Sequence, residues 1–209
     1  MKKILPLFIW WFSLSFLWGI FRLFPSTEMI SELLAKPFIW IGITVLFLKL
    51  NIIPDDVIIN LKNNYLTKKP FFKIFILPLV AITLYFFFLN FTQFSFPKFS
   101  FNLLLLSIFI NFSTGAVEEF VYRGVMYVWL LKNTNEIIAF ILVQVLFLLG
   151  HLPILILTSN SLTTALVRSF FIILLGSINT GIFRFNKSLY SSMLSHGMWN
   201  TLVHYLLLS

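Results

Sequence analysis

The chain has 209 residues, of which 59% are hydrophobic and only 11% are charged. Soluble domains are typically about 45–50% apolar and about 25% charged, and a core of this size could not bury so large an apolar excess. Together with a mean hydropathy of +0.97, the composition predicts an integral membrane protein and excludes a water-soluble enzyme. The sequence has no cysteine, which excludes disulfides, cysteine-ligated zinc and a thiol nucleophile.

The basic residues behind the net charge of +8 are distributed as in the loops of a membrane protein rather than as in a phosphate-binding groove. Six lysines lie between two apolar runs or before the first one: Lys62, Lys68, Lys69, Lys73, Lys2 and Lys3. Basic residues concentrate in the cytoplasmic loops of membrane proteins. We therefore predict a multi-pass protein of the cell membrane, embedded in the lipid bilayer, with a cytoplasmic N-terminus and no nucleic-acid partner.

Apolar runs long enough to cross a bilayer, which takes about 20 residues, recur along the chain. Seven candidate spans cover residues 5–24, 37–53, 71–91, 101–131, 136–157, 163–183 and 188–208. The run 101–131 exceeds one span, so it forms either one tilted helix or a span followed by a short interfacial helix, which would make eight helices. The sequence predicts an all-α, polytopic membrane protein with about seven transmembrane helices, as a single membrane domain over residues 1–209.

Two adjacent carboxylates, Glu118 and Glu119, lie inside the fourth apolar run. An ionised side chain at the bilayer centre costs at least about 2.5 kcal/mol, so such a residue indicates a functional site. Arg123 follows Glu119 by four residues, which is the favourable helical order for an ion pair. We therefore expect Glu119 to pair with Arg123, and Glu118, about 100° round the helix, to be free to face a cavity.

The next polar side chains lie in later spans. His151 lies in the fifth span, while His196 and Asn200 are four residues apart and share one face of the last helix. A lone histidine in an apolar helix is more often a structural group, and that alternative stays open. Because polar groups in lipid are stabilised by meeting each other, we expect Glu118, His151, His196 and Asn200 to converge in one pocket.

Other polar and aromatic residues carry weaker expectations. Glu28 and Glu32 are expected to be solvated in an outer loop, and Asp55 and Asp56 to cap a helix after Pro54. Tryptophans near the span ends are expected to form an interfacial belt: Trp10, Trp11, Trp40, Trp129 and Trp199.

Three motifs in the second half of the chain together resemble the CPBP family, the CAAX proteases and bacteriocin-processing enzymes also called Abi. They are EExxxR at Glu118–Arg123, FxxxH at Phe147–His151 and HxxxN at His196–Asn200. Each motif is weak by itself, but all three occur in the family's order on separate apolar segments. The resemblance covers residues 101–205, which it implies to be the catalytic core region of the family.

The resemblance implies an intramembrane endopeptidase of the glutamate type in a CAAX-protease-like helical bundle. It makes Glu118 the general base and gives His151 a part in holding and activating the attacking water. His196 and Asn200 would stabilise the oxyanion, and the Glu119–Arg123 pair would orient the site. The implied partner is a peptide or membrane-protein substrate, such as a peptide precursor.

Two alternatives stay open beside this interpretation. One glutamate and two histidines form the ligand set of many hydrolytic zinc sites, so Glu118, His151 and His196 could bind zinc in a metalloprotease. The sequence lacks HExxH, and the expectation is therefore that no cofactor is needed, with zinc as the alternative. A non-catalytic bacteriocin self-immunity protein or membrane scaffold is the alternative from another class; a transporter is disfavoured because no inverted repeat is seen.

Overall fold

The computed structural model describes residues 4–66, 79–80 and 101–206, with side chains up to residue 203. Within residues 4–66 and 101–206 the chain forms seven helices and no strand, which confirms the all-α, polytopic prediction. The helices are α1 (Leu5–Phe21), α2 (Ile30–Lys49), α3 (Asp55–Tyr65), α4 (Phe101–Asn133), α5 (Glu136–Thr158), α6 (Leu162–Asn186) and α7 (Leu189–Leu206).

Within the described part of the chain, four helices could cross a membrane, whereas the sequence predicted seven spans for the whole chain. Among the described residues, α2, α4, α5 and α6 are long and apolar enough, and α1 is a shorter apolar helix of 17 residues. The predicted span 188–208 coincides with α7, whose serine-rich face is buried against protein and therefore does not need to be apolar. The predicted span 71–91 lies outside the described residues, except for 79–80.

The long run that begins at residue 101 is one continuous helix, α4, the first of the two alternatives. Its centre, Phe120–Tyr127, is π-helical and begins directly after the two acids. The start of α2, Ile30–Ala35, is also π-helical. π-helical segments are rare in proteins, and those that occur are frequently found at functional sites. In this protein both segments lie where charged side chains enter the bundle.

The helix α3 was not among the predicted spans, and its buried residues Val57, Leu61 and Tyr65 show why it forms. They lie on one face, and the Tyr65 ring stacks on a core aromatic ring of α6. The expectation that Asp55 and Asp56 cap this helix is wrong. Pro54 takes the N-cap position, and no side chain makes a capping hydrogen bond. The two acids lie in the first turn, where their negative charges interact favourably with the positive end of the helix dipole.

Glycines set the close approach of α4 and α7. A Cβ atom on Gly115 would lie 2.9 Å from the backbone nitrogen of Gly197 and 3.2 Å from Cβ of His196. A Cβ atom on Gly197 would lie 2.7–3.0 Å from atoms of the Phe112 ring. A larger residue at either position would require neighbouring atoms to shift, so the helix of the two acids touches the helix of His196.

The predicted belt of interfacial tryptophans is wrong for four of its five members. Trp10, Trp40, Trp129 and Trp199 are buried within the protein, and Trp11 is half-buried. The Trp10 indole N–H donates to Thr44 Oγ1 on α2 at 3.3 Å. Because α1 and α2 pack together and against the later helices, these rings fill the space between helices.

Candidate active site

Three of the predicted site residues meet at one point between α4, α5 and α7. Glu118 is only 3% exposed. Its Oε2 lies 3.8 Å from Nε2 of His151 and 3.6 Å from Nε2 of His196. No described residue donates a hydrogen bond to this carboxylate oxygen. The structure thus brings together a buried carboxylate and two imidazoles from three separate helices.

The second ring nitrogen of each histidine fixes which nitrogen faces Glu118. His196 donates from Nδ1 to Oε1 of Glu119 at 2.8 Å, and His151 donates from Nδ1 to the carbonyl of Phe147 at 2.8 Å. Carboxylate and carbonyl oxygens only accept, so Nδ1 of each ring carries a proton. When a ring is neutral, its Nε2 presents a lone pair toward Oε2 of Glu118, and such a set of acceptor atoms suits a small donor such as water.

Glu119 and Arg123 form an ion pair with the predicted spacing. The guanidinium Nη1 lies 2.9 Å from Oε1 of Glu119, and both side chains are fully buried. The same oxygen accepts from Nδ2 of Asn179 at 3.2 Å and from Nδ1 of His196 at 2.8 Å. Glu119 therefore does not face the meeting point of Glu118 and the histidines, but holds one of the two imidazoles.

Arg123 also ties α4 to α6. Its Nη2 donates to the carbonyl of Gly176 at 2.7 Å, and its Nε donates to Thr180 Oγ1 at 3.2 Å. The Thr180 hydroxyl also accepts from Gln144 Nε2 of α5 at 2.9 Å. The guanidinium carbon lies 4.6 Å above the ring of Phe147, within the range of a cation–π interaction. One arginine thus connects the three central helices.

Sequence analysis missed the uncharged polar residues of this network: Gln144, Asn179 and Thr180. They are buried, and each lies within an otherwise apolar helix. The available signal was that amide and hydroxyl side chains in membrane helices commonly bond across helix interfaces.

Lys36 was also missed, and it changes the expected state of Glu118. Lys36 is only 5% exposed, and its Nζ lies 2.6 Å from Oε1 of Glu118. The expectation that Glu118 is unpaired and free is therefore wrong. The ammonium also lies 5.2 Å from the ring centroid of Trp18 and 5.5 Å from that of Trp40. Lys36 lies among the helices because the start of α2 is packed against α4.

The expectation that Glu32 is solvated in a loop is wrong as well. Glu32 lies in the π-helical start of α2, and its Oε2 is 2.7 Å from Nζ of Lys36, one helical turn later. It accepts from Thr114 Oγ1 at 2.9 Å and lies 3.8 Å from Arg22. Glu28 is exposed, as expected. The four-residue spacing of Glu32 and Lys36 was the signal that sequence analysis could have used.

Asn200 lies one helical turn after His196 on α7 and is half-buried. In the described part of the chain its side chain makes no hydrogen bond, so its amide is available to donate. The side chain of His204, on the same row of α7, lies outside the described residues.

Glu118, His151 and His196 have the donor types of a zinc site but not its arrangement. Among the described residues, no group of three or more histidine, aspartate or glutamate side chains is placed to hold a metal ion. Nζ of Lys36 already binds Oε1 of Glu118. As placed, the described side chains therefore do not form the arrangement of a metal centre.

Residues 100–202 match the family model described as type II CAAX prenyl endopeptidase Rce1-like. The match contains all three motifs and confirms the resemblance to the CPBP family. No curated protein and no solved structure matches the chain. The helices α1, α2 and α3, with Glu32 and Lys36, precede the matched region.

Proposed function

The chain belongs through residues 100–202 to the Rce1-like family of type II CAAX prenyl endopeptidases, and from that premise we propose that it is a glutamate-type intramembrane endopeptidase. The family and the apolar helices make it a membrane protein with the fold of a CAAX-type protease. One observation carries the finer proposal. The buried Oε2 of Glu118 faces Nε2 of both His151 and His196, within 3.8 Å of each.

In the proposed reaction, a water molecule donates hydrogen bonds to Oε2 of Glu118 and to a histidine Nε2. Glu118 takes one proton as the water oxygen attacks the carbonyl carbon of the scissile peptide bond. The tetrahedral intermediate then breaks its C–N bond, and the proton held by Glu118 passes to the leaving amine. The products are a carboxylic acid and an amine, so one water is consumed for each bond cleaved.

His196 and Asn200 are proposed to stabilise the oxyanion. The Asn200 amide makes no hydrogen bond to other described residues, so it can donate to the developing negative charge. His196 can donate from Nε2 only when both of its ring nitrogens carry protons. Glu119, 2.8 Å from Nδ1, would stabilise that cation, much as the buried carboxylate does in a catalytic triad.

We propose a peptide precursor or a membrane-associated protein as the substrate, cleaved in or at the cell membrane. The N-terminus is proposed to be cytoplasmic. This proposal follows the distribution of basic residues: Lys132 and Arg184 lie in the last turns of α4 and α6, and basic residues near helix ends favour the cytoplasmic side.

The test is cleavage of a membrane-embedded peptide library by the purified Glu118→Gln variant. The amide keeps the shape of the side chain but cannot act as the base, so we expect a rate loss of about 10²–10⁴-fold with normal accumulation. Glu28→Gln, an exposed glutamate, is the matched control and should cleave like the wild type.

Each reaction is repeated with a chelator and then with added zinc. Unchanged activity under chelation is expected; loss that zinc restores would show a metalloprotease instead. Wild-type cleavage by Glu118→Gln would refute Glu118 as the base and with it the glutamate-type mechanism. If no variant and no wild-type protein cleaves, and Glu118→Gln retains biological protection, the protein is instead a non-catalytic immunity or scaffold protein.

A further inference from the structure

We propose that Lys36 is a positioning residue for Glu118, supplied to the active site by a helix outside the region that matches the family. The inference depends on the proposed protease function. Lys36 lies on α2, in the part of the chain that precedes residues 100–202. Its ammonium is nevertheless the nearest charged partner of Glu118, 2.6 Å from Oε1.

The first argument is geometric. A carboxylate that binds an ammonium through one oxygen presents the other oxygen in a defined direction. Because Lys36 binds Oε1, Glu118 turns Oε2 toward Nε2 of His151 and Nε2 of His196. Lys36 therefore determines that Oε2 is the oxygen that takes the proton of water.

The second argument is that Lys36 is itself held in place. Its Nζ bridges Glu118 and Glu32, at 2.6 and 2.7 Å, and lies near the indole faces of Trp18 and Trp40. A lysine side chain normally loses much conformational freedom when it is fixed in this way. Two carboxylates and two aromatic rings from α1, α2 and α4 leave it one position, which is what a positioning group needs.

The third argument concerns why a charge is present here at all. Replacing a buried ion pair by well-packed apolar residues is often neutral or stabilising, so a buried pair is weak evidence for a role in stability. Two apolar side chains at positions 36 and 118 would fill similar space without the desolvation penalty of two charges. The buried Lys36–Glu118 pair is therefore better explained by its effect on the reactive carboxylate.

The consequence is that α1 and α2 complete the active site. Arg22 at the end of α1, then Glu32 and Lys36 of α2, form a line of alternating charges that ends on Glu118. Thr114 of α4 donates to Glu32 and joins this line to the helix of the acids.

The experiment measures kcat and KM for Lys36→Met, with Lys49→Met as the control because Lys49 is an exposed lysine of the same helix. A misplaced catalytic group can lower the rate by about 10²-fold. We expect kcat to fall by roughly that factor with KM little changed, since the loss concerns the transition state. Lys36→Arg, which keeps a cation, should recover part of kcat, and Lys49→Met should match the wild type.

Two further variants keep the proposal open to refutation. Lys36→Met/Glu32→Gln removes one charge of each sign, so it can fold where Lys36→Met does not, and its kcat should stay low. Adding Lys36→Met to Glu118→Gln should cause no further loss, because Lys36 acts only through Glu118.

Each failure has its own signature. If Glu118→Gln is inactive while folded Lys36→Met keeps the wild-type kcat, the positioning role is overturned and the protease proposal stands. If Glu118→Gln cleaves like the wild type, the proposed role of Glu118 as the base fails, and the positioning role of Lys36 fails with it. If kcat falls by the same factor in Lys36→Met, Lys36→Arg and Lys49→Met, the changes act through a general effect on α2, and this result would also overturn the inference.

Discussion

Arg123→Ala tests how much of the bundle depends on the buried ion pair. The change removes the partner of Glu119, the donor to the Gly176 carbonyl and a cation stacked over an aromatic ring. Removing one partner of a buried pair costs about 3–5 kcal/mol, because the remaining charge stays buried and uncompensated. The matched control is Arg184→Ala, since Arg184 pairs with Glu136 on the surface, where such pairs are worth about 0–1 kcal/mol.

The assay is thermal unfolding of the detergent-solubilised protein, with membrane accumulation measured alongside. For a chain of this length 1 kcal/mol corresponds to about 2–4 °C, so we expect Arg123→Ala to unfold about 10 °C below the wild type. Arg184→Ala should unfold within about 2 °C of the wild type. Adding Glu119→Gln to Arg123→Ala should restore part of the loss, because the unpaired charge is then gone. Equal unfolding temperatures for Arg123→Ala and Arg184→Ala would refute the reasoning.

The remaining predictions concern the contact between α4 and α7 and the oxyanion. Gly115→Ala places a Cβ atom 2.9 Å from the backbone of Gly197, so we expect destabilisation of about 1–3 kcal/mol and a loss of cleavage as His196 moves. In Gly42→Ala the new Cβ atom meets nothing within 4 Å, so the unfolding temperature should be unchanged or slightly raised. If Gly115→Ala and Gly42→Ala change the unfolding temperature equally, the close packing of α4 against α7 is contradicted. Asn200→Ala should lower kcat by about 10²–10³-fold at an unchanged unfolding temperature, and a wild-type kcat would remove Asn200 from the proposed mechanism.

Two signals made polar residues of the site predictable from the sequence: the free-energy cost of a charge within an apolar run, and the four-residue spacing of a helical ion pair. Glu118 and Glu119 stood out because charges are costly within an apolar run, and the spacing of Glu119 and Arg123 predicted their ion pair. Lys36 was missed because it precedes an apolar run, where a lysine normally reaches water. Only the packing of α2 against α4 shows that its ammonium lies inside the bundle.

The sequence by itself predicted an all-α membrane protein, because it has an apolar excess with few charges and apolar runs long enough to form transmembrane helices. It also predicted which helices meet at the candidate site, since three short motifs lie on three separate apolar segments. The tertiary structure decided the connections between helices: Glu118 is paired with Lys36, and Glu119 holds His196. Periodicity assigns each side chain to a face of its own helix, but the contacts between helices depend on how those faces pack, and glycines such as Gly115 set that distance.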